Sequence, residues 1–216
     1  MMSNSFSGKS ITCFRGERFV FERLDFSLGS GGALVLTGPN GSGKSSLLRI
    51  MAGLLEPADG EMERDGEPLA GVLEDHCARL HYVGYQDAIK PVMTVRENLA
   101  FWAGLRSAES DRGVVEKALD ALGIAALADT PGQFLSSGQR RRLSLARLAA
   151  SAAPLWLLDE PTVGLDRASV AIIEGLVAEH RAGGGMAVLA THLDIGLGGG
   201  AQTLDLADFV ARRQIF

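Results

Sequence analysis

The run Gly38-Pro39-Asn40-Gly41-Ser42-Gly43-Lys44-Ser45 constrains this chain more than any other stretch. It follows the apolar Ala33-Leu34-Val35-Leu36 and precedes Ser46-Leu47-Leu48-Arg49-Ile50-Met51, so a strand, a glycine turn and a helix start stand in that order. Three glycines let the backbone curl until successive N–H groups point inward, a concave nest for the oxygens of a diphosphate. The helix beginning near Gly43 adds its free N–H groups and the positive end of its dipole. In this setting Lys44 reaches the β- and γ-phosphates, and the Ser45 hydroxyl completes the shell of a Mg²⁺ ion that keeps most of its waters. The ordinary alternative is a glycine-rich turn that merely joins a strand to a helix; the full motif in its strand-to-helix setting argues against it.

With 216 residues, 46% hydrophobic and 22% charged, the composition is that of one globular domain with a full-sized core. Its 21 basic and 26 acidic residues leave a net charge of −5, so no electrostatic footprint for nucleic acid stands out. Cys13 and Cys77 lie far apart in no metal-like spacing, which fits a reducing compartment and two small buried apolar residues. Apolar stretches such as Leu155 to Leu158 fall far short of the roughly 20 residues needed to span a bilayer. The start of the chain lacks the basic and apolar runs of a signal peptide. Work at a membrane is therefore expected only through a partner.

Residues 11–28 alternate between apolar and polar around Arg15-Gly16-Glu17-Arg18, which predicts a hairpin-like strand pair. A second small hairpin is expected from Asp59 to Glu67, and Arg79 to Tyr85 reads as a short strand delivering Gln86 at its end. From Asp87 to about Ser151 the period turns helical. Thr94 with Glu97 forms a helix start, and further helices are expected over 112–122 and from about Gln139 to Ala150. A buried strand at 155–158, a helix carrying Val170, Ile173, Leu176 and Val177, a strand at 186–190 and two weak terminal strands complete the chain. Such alternation implies a parallel sheet covered on both faces, with ligands at the carboxyl ends of its strands. Gln86, Asp159, Glu160 and His192 each follow an apolar strand, so the fold is expected to gather them beside the phosphate loop.

Asp159 after four apolar residues suits a carboxylate that holds a Mg²⁺-bound water without wandering. Glu160 beside it faces the other way and suits a general base on attacking water. An ordinary acidic strand terminus is the alternative, but Pro161-Thr162 and Leu165-Asp166 complete a longer pattern. Leu135-Ser136-Ser137-Gly138-Gln139 offers serines and a glycine before a helix, where capping alone accounts for Ser136 or Ser137.

Taken together, these residues resemble the ATP-binding-cassette (ABC) ATPases along nearly the whole chain. Gly38 to Ser45 is similar to the Walker A loop, Gln86 to the Q-loop glutamine, Leu135 to Gln139 to the signature, and Leu155 to Asp159 to Walker B. Glu160 matches the catalytic glutamate, Val163-Gly164-Leu165-Asp166 the D-loop and His192 the switch histidine. The resemblance implies a single nucleotide-binding domain over 1–216 with a P-loop NTPase α/β fold and a mainly parallel core sheet. Its core and small N-terminal antiparallel β subdomain would occupy about 1–86 and 152–216, and a helical insert carrying the signature about 87–151. It also implies ATP and Mg²⁺ as cofactors, held by Gly38 to Ser46, with Ser45, Gln86 and Asp159 on the metal. Lys44, Gln86, Glu160 and His192 would serve catalysis. A second copy would pair head to tail, so that Leu135 to Gln139 act on the partner's ATP. Two positions depart from the family's pattern: Ser137 stands where glycine is most frequent, and Arg15, with Phe14 beside it, falls where an aromatic ring usually stacks on adenine. A flat guanidinium also stacks on a base.

A bare cassette without a span resembles the energy subunit of a multi-chain transporter rather than the two-cassette translation factors, the coiled-coil repair proteins or a small P-loop kinase. Tyr82 to Pro91, Thr94 to Trp102 and Gly138 to Leu148 resemble the ATP-binding subunits of the bacterial cytochrome c maturation system, the haem exporter; Arg15-Gly16 and Pro154 to Pro161 fit it too. The basic run Arg140 to Arg142 alternatively reads as the solvated face of its helix. This resemblance implies a peripheral place on the cytoplasmic side of the bacterial inner membrane and an integral membrane permease as partner. It implies no haem ligand in this chain: no C-x-x-C-H occurs, and His76, His81 and His180 read as surface or structural residues. An ABC transporter of another substrate and a soluble non-transport ABC ATPase are the alternatives.

Overall fold

The computed structural model of the protein describes residues 4–106, 112–192 and 195–210. Strands β1 (Ser5–Arg15) and β2 (Arg18–Gly29) form the expected hairpin. Its turn residues Gly16 and Glu17 have φ of 55° and 63°, the double left-handed turn that matches strand twist. Strand β3 (Ala33–Thr37) leads through the glycine run into helix α1 (Lys44–Met51). Strands β4 (Asp59–Arg64) and β5 (Glu67–Pro68) make the second hairpin across Asp65-Gly66, and helix α2 (Leu73–Ala78) follows. The antiparallel sheet has the order β2-β1-β4-β5.

The second sheet takes β3 together with β6 (Leu80–Val83), β7 (Leu155–Asp159), β8 (Met186–Ala190) and β9 (Ala201–Asp205). Its order is β6-β7-β8-β3-β9 and every pairing is parallel. Alternation splits each strand between two cores. Leu34, Leu36, Leu155, Leu157 and Val188 pack with α1 and the antiparallel sheet. Trp156, Leu158, Ala187 and Leu189 face the helical side. Both faces are thereby covered, as an all-parallel sheet requires.

The helical side comprises α3 (Val95–Gly104), α4 (Arg112–Ala121), α5 (Ser137–Ala150) and α6 (Arg167–Ala182). Thr94 and Glu97 close the expected capping box at the start of α3. Asn98, which is buried, donates to the Lys90, Met93 and Thr94 carbonyls and accepts from the Lys90 N–H, which folds the preceding loop onto the helix.

Several expectations are corrected. Strand β6 ends at Val83, three residues before Gln86. Helix α5 begins at Ser137 rather than near Gln139, because Ser136 caps it. Among the described residues one terminal strand, β9, is present; Leu206–Phe209 is a 3₁₀ turn that buries Leu206 in the core, and residues 211–216 lie outside the description. Cys13 is buried, but Cys77 is exposed. The three histidines, by contrast, take the structural of the two roles expected of them. His76, His81 and His180 each donate from Nε2 to a main-chain carbonyl, of Met51, Ser151 and Met186 at 2.8, 2.9 and 3.1 Å. His180 also stacks on Trp156 with ring centroids 3.8 Å apart.

Burial pushes the His81 imidazole from 6.5 down to about 4, with Arg106 and Arg147 acting in the same direction. The unfolded chain thus takes up this proton before the folded one does. The stabilising contribution of neutral His81 is complete above 6.5 and is lost as the pH falls towards about 4. That window is worth about 3 kcal/mol. Urea unfolding followed downward from neutral pH should show a shallower loss of stability in His81→Gln than in the parent chain; equal slopes would show that this ring titrates normally.

Candidate active site

The glycine run takes the shape that its sequence calls for. Gly38, Gly41 and Gly43 have φ of 122°, 81° and 106°. A side chain at Gly43 is excluded twice over, since a Cβ there would also stand 2.7 Å from Val20 Cγ1 and 2.8 Å from Phe21 Cδ1. The Lys44 ammonium turns back into the loop and donates to the Gly38 and Pro39 carbonyls at 2.7 and 3.2 Å. Two of its three donors are so used. Ser42 Oγ is buried with no protein partner. The Lys44 cation and the first-turn amides of α1, which lack intrahelical acceptors, therefore stand at one concavity, a set of donors suited to phosphate oxygens.

That concavity opens into a cleft of about 780 Å³. Asn40, Gly41, Gly43, Lys44, Ser45 and Ser46 form one wall. Asp159, Glu160 and His192, at the ends of β7 and β8, form another. Asp159 is buried at the last position of β7. Glu160 then leaves the strand with φ of 49°, a left-handed conformation that costs about 1–3 kcal/mol in a non-glycine residue. Its N–H is held by the Ala190 carbonyl at 2.8 Å. The kink turns the Glu160 carboxylate towards His192, whose Nε2 lies 3.2 Å from Oε1. A carboxylate and an imidazole in contact, beside a phosphate nest, can accept and relay a proton from water. Arg15 lines the outer end of the same cleft with Gly16, Arg18 and Val20.

One expected group is not brought here. Gln86 is exposed on a bend and Tyr85, not Gln86, lines the cleft, because the chain turns at Gly84 directly after β6. The signature stretch lies elsewhere in the chain. Ser136, Ser137, Gly138 and Gln139 share a separate hollow with Gly164, Asp166 and Ser169. A Cβ on Gly138 would meet the Gly164 carbonyl at 3.0 Å, so the two loops touch there. Asp166 caps α6 by accepting from the Ser169 N–H, and these Ser169 bonds hold its carboxyl below the usual range. Leu135 is buried beneath this hollow in the helical-side core.

One residue of the site escaped sequence reasoning. Arg141, read as part of a solvated face, is 4% exposed and reaches from α5 to the main chain at residues 159–161. Its neighbours Arg140 and Arg142 are half-buried. The 3.6-residue period of α5, which puts Arg141 in line with Ser144, Leu145 and Leu148 on the inner face, was the available signal.

The chain belongs to the ABC transporter family of ATP-binding proteins, whose model, described as "ABC transporter", matches residues 21–163. Among its curated relatives, the cytochrome c biogenesis ATP-binding export protein CcmA of Paramagnetospirillum magneticum is 54% identical over 217 residues, which cover 100% of each chain. That of Rhodospirillum rubrum is 56% identical over 194 residues, 90% of this chain and 82% of the relative. Among solved structures, a putative ABC transporter ATP-binding protein from Pyrococcus furiosus superposes with a TM-score of 0.84 at 21% identity, over 96% of this chain and 100% of that one. A bacterial Atm1-family ABC exporter with ATP bound gives 0.81 at 23% identity, over 94% of this chain and 37% of that one. At those identities the two structures speak for the fold alone, and the fold agrees with the P-loop α/β class expected. The chain thus binds ATP as a member of this family.

Ser136 and Ser137 separate capping from any second role. Ser136 accepts from the Gln139 N–H at 3.2 Å while its own N–H donates to Gln139 Oε1 at 2.8 Å. Ser136→Ala should cost about 1 kcal/mol in urea unfolding, and Ser137→Ala close to nothing. Equal losses would remove Ser136 as the cap.

Proposed function

We propose that this chain is the ATP-hydrolysing subunit of an ABC transporter that serves cytochrome c biogenesis, the haem exporter. The likeness over full length to the CcmA proteins carries this reading. Lys44 and the loop from Gly38 to Ser46 bind the ATP phosphates, and Arg15 stacks on the adenine. Glu160 takes the proton of the attacking water, and His192, in contact with it, orients the carboxylate and the γ-phosphate. Ser45 and Asp159 line one cleft and offer hard oxygen donors, the chemistry that suits Mg²⁺. Gln86 joins them as the segment around it moves inward. Mg²⁺, when bound, neutralises charge on the phosphates.

Residues 87–151 act as a helical subdomain on a core formed by 1–86 and 152–216. The separation of the signature from the cleft supports a head-to-tail pair of chains, in which Leu135 to Gln139 complete the partner's site and Asp166 lies at the seam. No helix among the described residues is long and apolar enough to cross a membrane, so a permease supplies the pathway. In this reading the pair works on the cytoplasmic face of the inner membrane. Nucleic acid is no partner, and no residue here is assigned to haem.

Glu160→Gln should keep ATP affinity and lower turnover roughly a hundredfold or more, since a general base contributes on that scale. Hydrolysis at the parental rate would remove Glu160 from the role. Lys44→Ala should weaken ATP binding itself, measured by titration calorimetry; unchanged affinity would count against the phosphate loop. A pull-down from detergent-solubilised membranes with Glu160→Gln and ATP tests the transporter. Recovery of a cytochrome c maturation membrane subunit, with c-type cytochromes lost on deletion, is the expected outcome. Another permease would keep the ATPase and discard the substrate.

A further inference from the structure

Arg141 uses every donor that a guanidinium has. Nε donates to the Pro161 carbonyl at 3.3 Å. Nη2 donates to the Asp159 and Glu160 carbonyls at 2.6 and 3.0 Å. Nη1 donates to the Gly84 carbonyl at 2.9 Å and to Asp87 Oδ1 at 3.1 Å. Five N–H groups thus meet five acceptors in a buried setting. Three of the acceptors are consecutive carbonyls spanning Glu160, the residue held at φ of 49°. A strand continuing past Asp159 would pair such carbonyls in the ladder; the kink takes them out of it, and Arg141 satisfies them instead. The other two acceptors bracket Tyr85 and Gln86. One side chain therefore joins the helix that begins at the signature, the segment leaving β6 and the main chain that carries Glu160.

We propose that Arg141 is a positioning residue for Glu160, holding the kinked main chain so that the carboxylate faces the cleft and tying its position to α5 and to residues 84–87. The proposal rests on Glu160 being the base. A shift of α5 or of the 84–87 segment then moves the Glu160 main chain with it, because the fork is planar and its donors point in set directions. Arg141 itself does not line the cleft.

The test uses the full chain with the membrane partner that co-purifies with it, comparing parent, Arg141→Met, Arg141→Lys and Asp87→Asn, each with and without Glu160→Gln. Arg141→Met keeps an unbranched apolar stem and removes all five donors, and should lower kcat by roughly tenfold to a hundredfold with KM within about twofold, the pattern of a misplaced catalytic group. In the Glu160→Gln background the same change should alter the residual rate by less than about twofold, since two steps acting on one function are not additive. Arg141→Lys, with three donors on one nitrogen, should fall between Met and the parent; Asp87→Asn, which leaves the three carbonyl bonds across Glu160, should lose least. If Arg141→Met does not fold, Arg141→Lys carries the same comparison.

Equal fold losses in both backgrounds would reduce Arg141 to a general brace and overturn the proposal, as would parental kcat in Arg141→Met while Glu160→Gln is slow. Parental hydrolysis in Glu160→Gln would instead remove the base, and the proposal with it.

Discussion

The register of the parallel sheet is the constraint on which the site depends. Leu36 stands opposite Ala190, Asp159 opposite Ala190, and Val83 opposite Leu158, so four strands end at nearly one level. Parallel strands all point the same way, and the loops that leave their carboxyl ends must emerge along one edge. The phosphate loop, the 84–87 segment, the kink at Glu160 and the turn into His192 are those loops. The hydrogen-bond ladder even extends past the strands, with Glu160 N–H on Ala190 and Thr191 N–H on Leu36 at 2.8 and 3.3 Å. A slip of one residue in any strand would exchange its two hydrophobic faces and carry the polar residue at its end away from the edge.

Around this sheet the two cores have different tasks. The one containing α1 and the antiparallel sheet presses Phe21 and Val20 against Gly43, which sets the loop's curvature from behind. The other seats α5 against the strand ends and against α3 and α4. Two arginines on the inner side of α5 cross that boundary. Arg147 lies over the Trp102 ring at 4.8 Å and bonds the Tyr82 carbonyl, and burial brings its guanidinium down to about 10. Arg141 bonds the main chain after β6 and after β7. A buried guanidinium is tolerated where acceptors meet it, and strand-end carbonyls, which have no next strand residue to pair with, are such acceptors.

Much of this was legible beforehand because the signals are local. The strand, glycine run and helix around Lys44, the Thr94–Glu97 cap and the turn at Gly16 each depend on neighbours within a few residues. What escaped reading was long-range. Cys77 looks like Cys13 in composition, yet one faces solvent and the other the core. Arg140, Arg141 and Arg142 form one basic run, but the helix turns only the middle one inward. Gln86 comes after an apolar strand much as Glu160 follows β7, but β6 stops at Val83 and the chain bends away from the cleft.

By itself the sequence determined the phosphate loop, the acidic pair Asp159-Glu160, the alternation of strands and helices and thereby the fold class. These follow from periodicity and from turn chemistry, which act over a turn or a strand. Only the tertiary structure decided which of the polar residues meet. It put Glu160 against His192 in the cleft that Lys44 also lines, kept the signature with Asp166 in a hollow of its own, and made Arg141 the bond between α5 and the kinked strand end. The physical reason is that such contacts are set by strand order and sheet register, which depend on how two whole cores pack, and no short stretch of sequence carries that information.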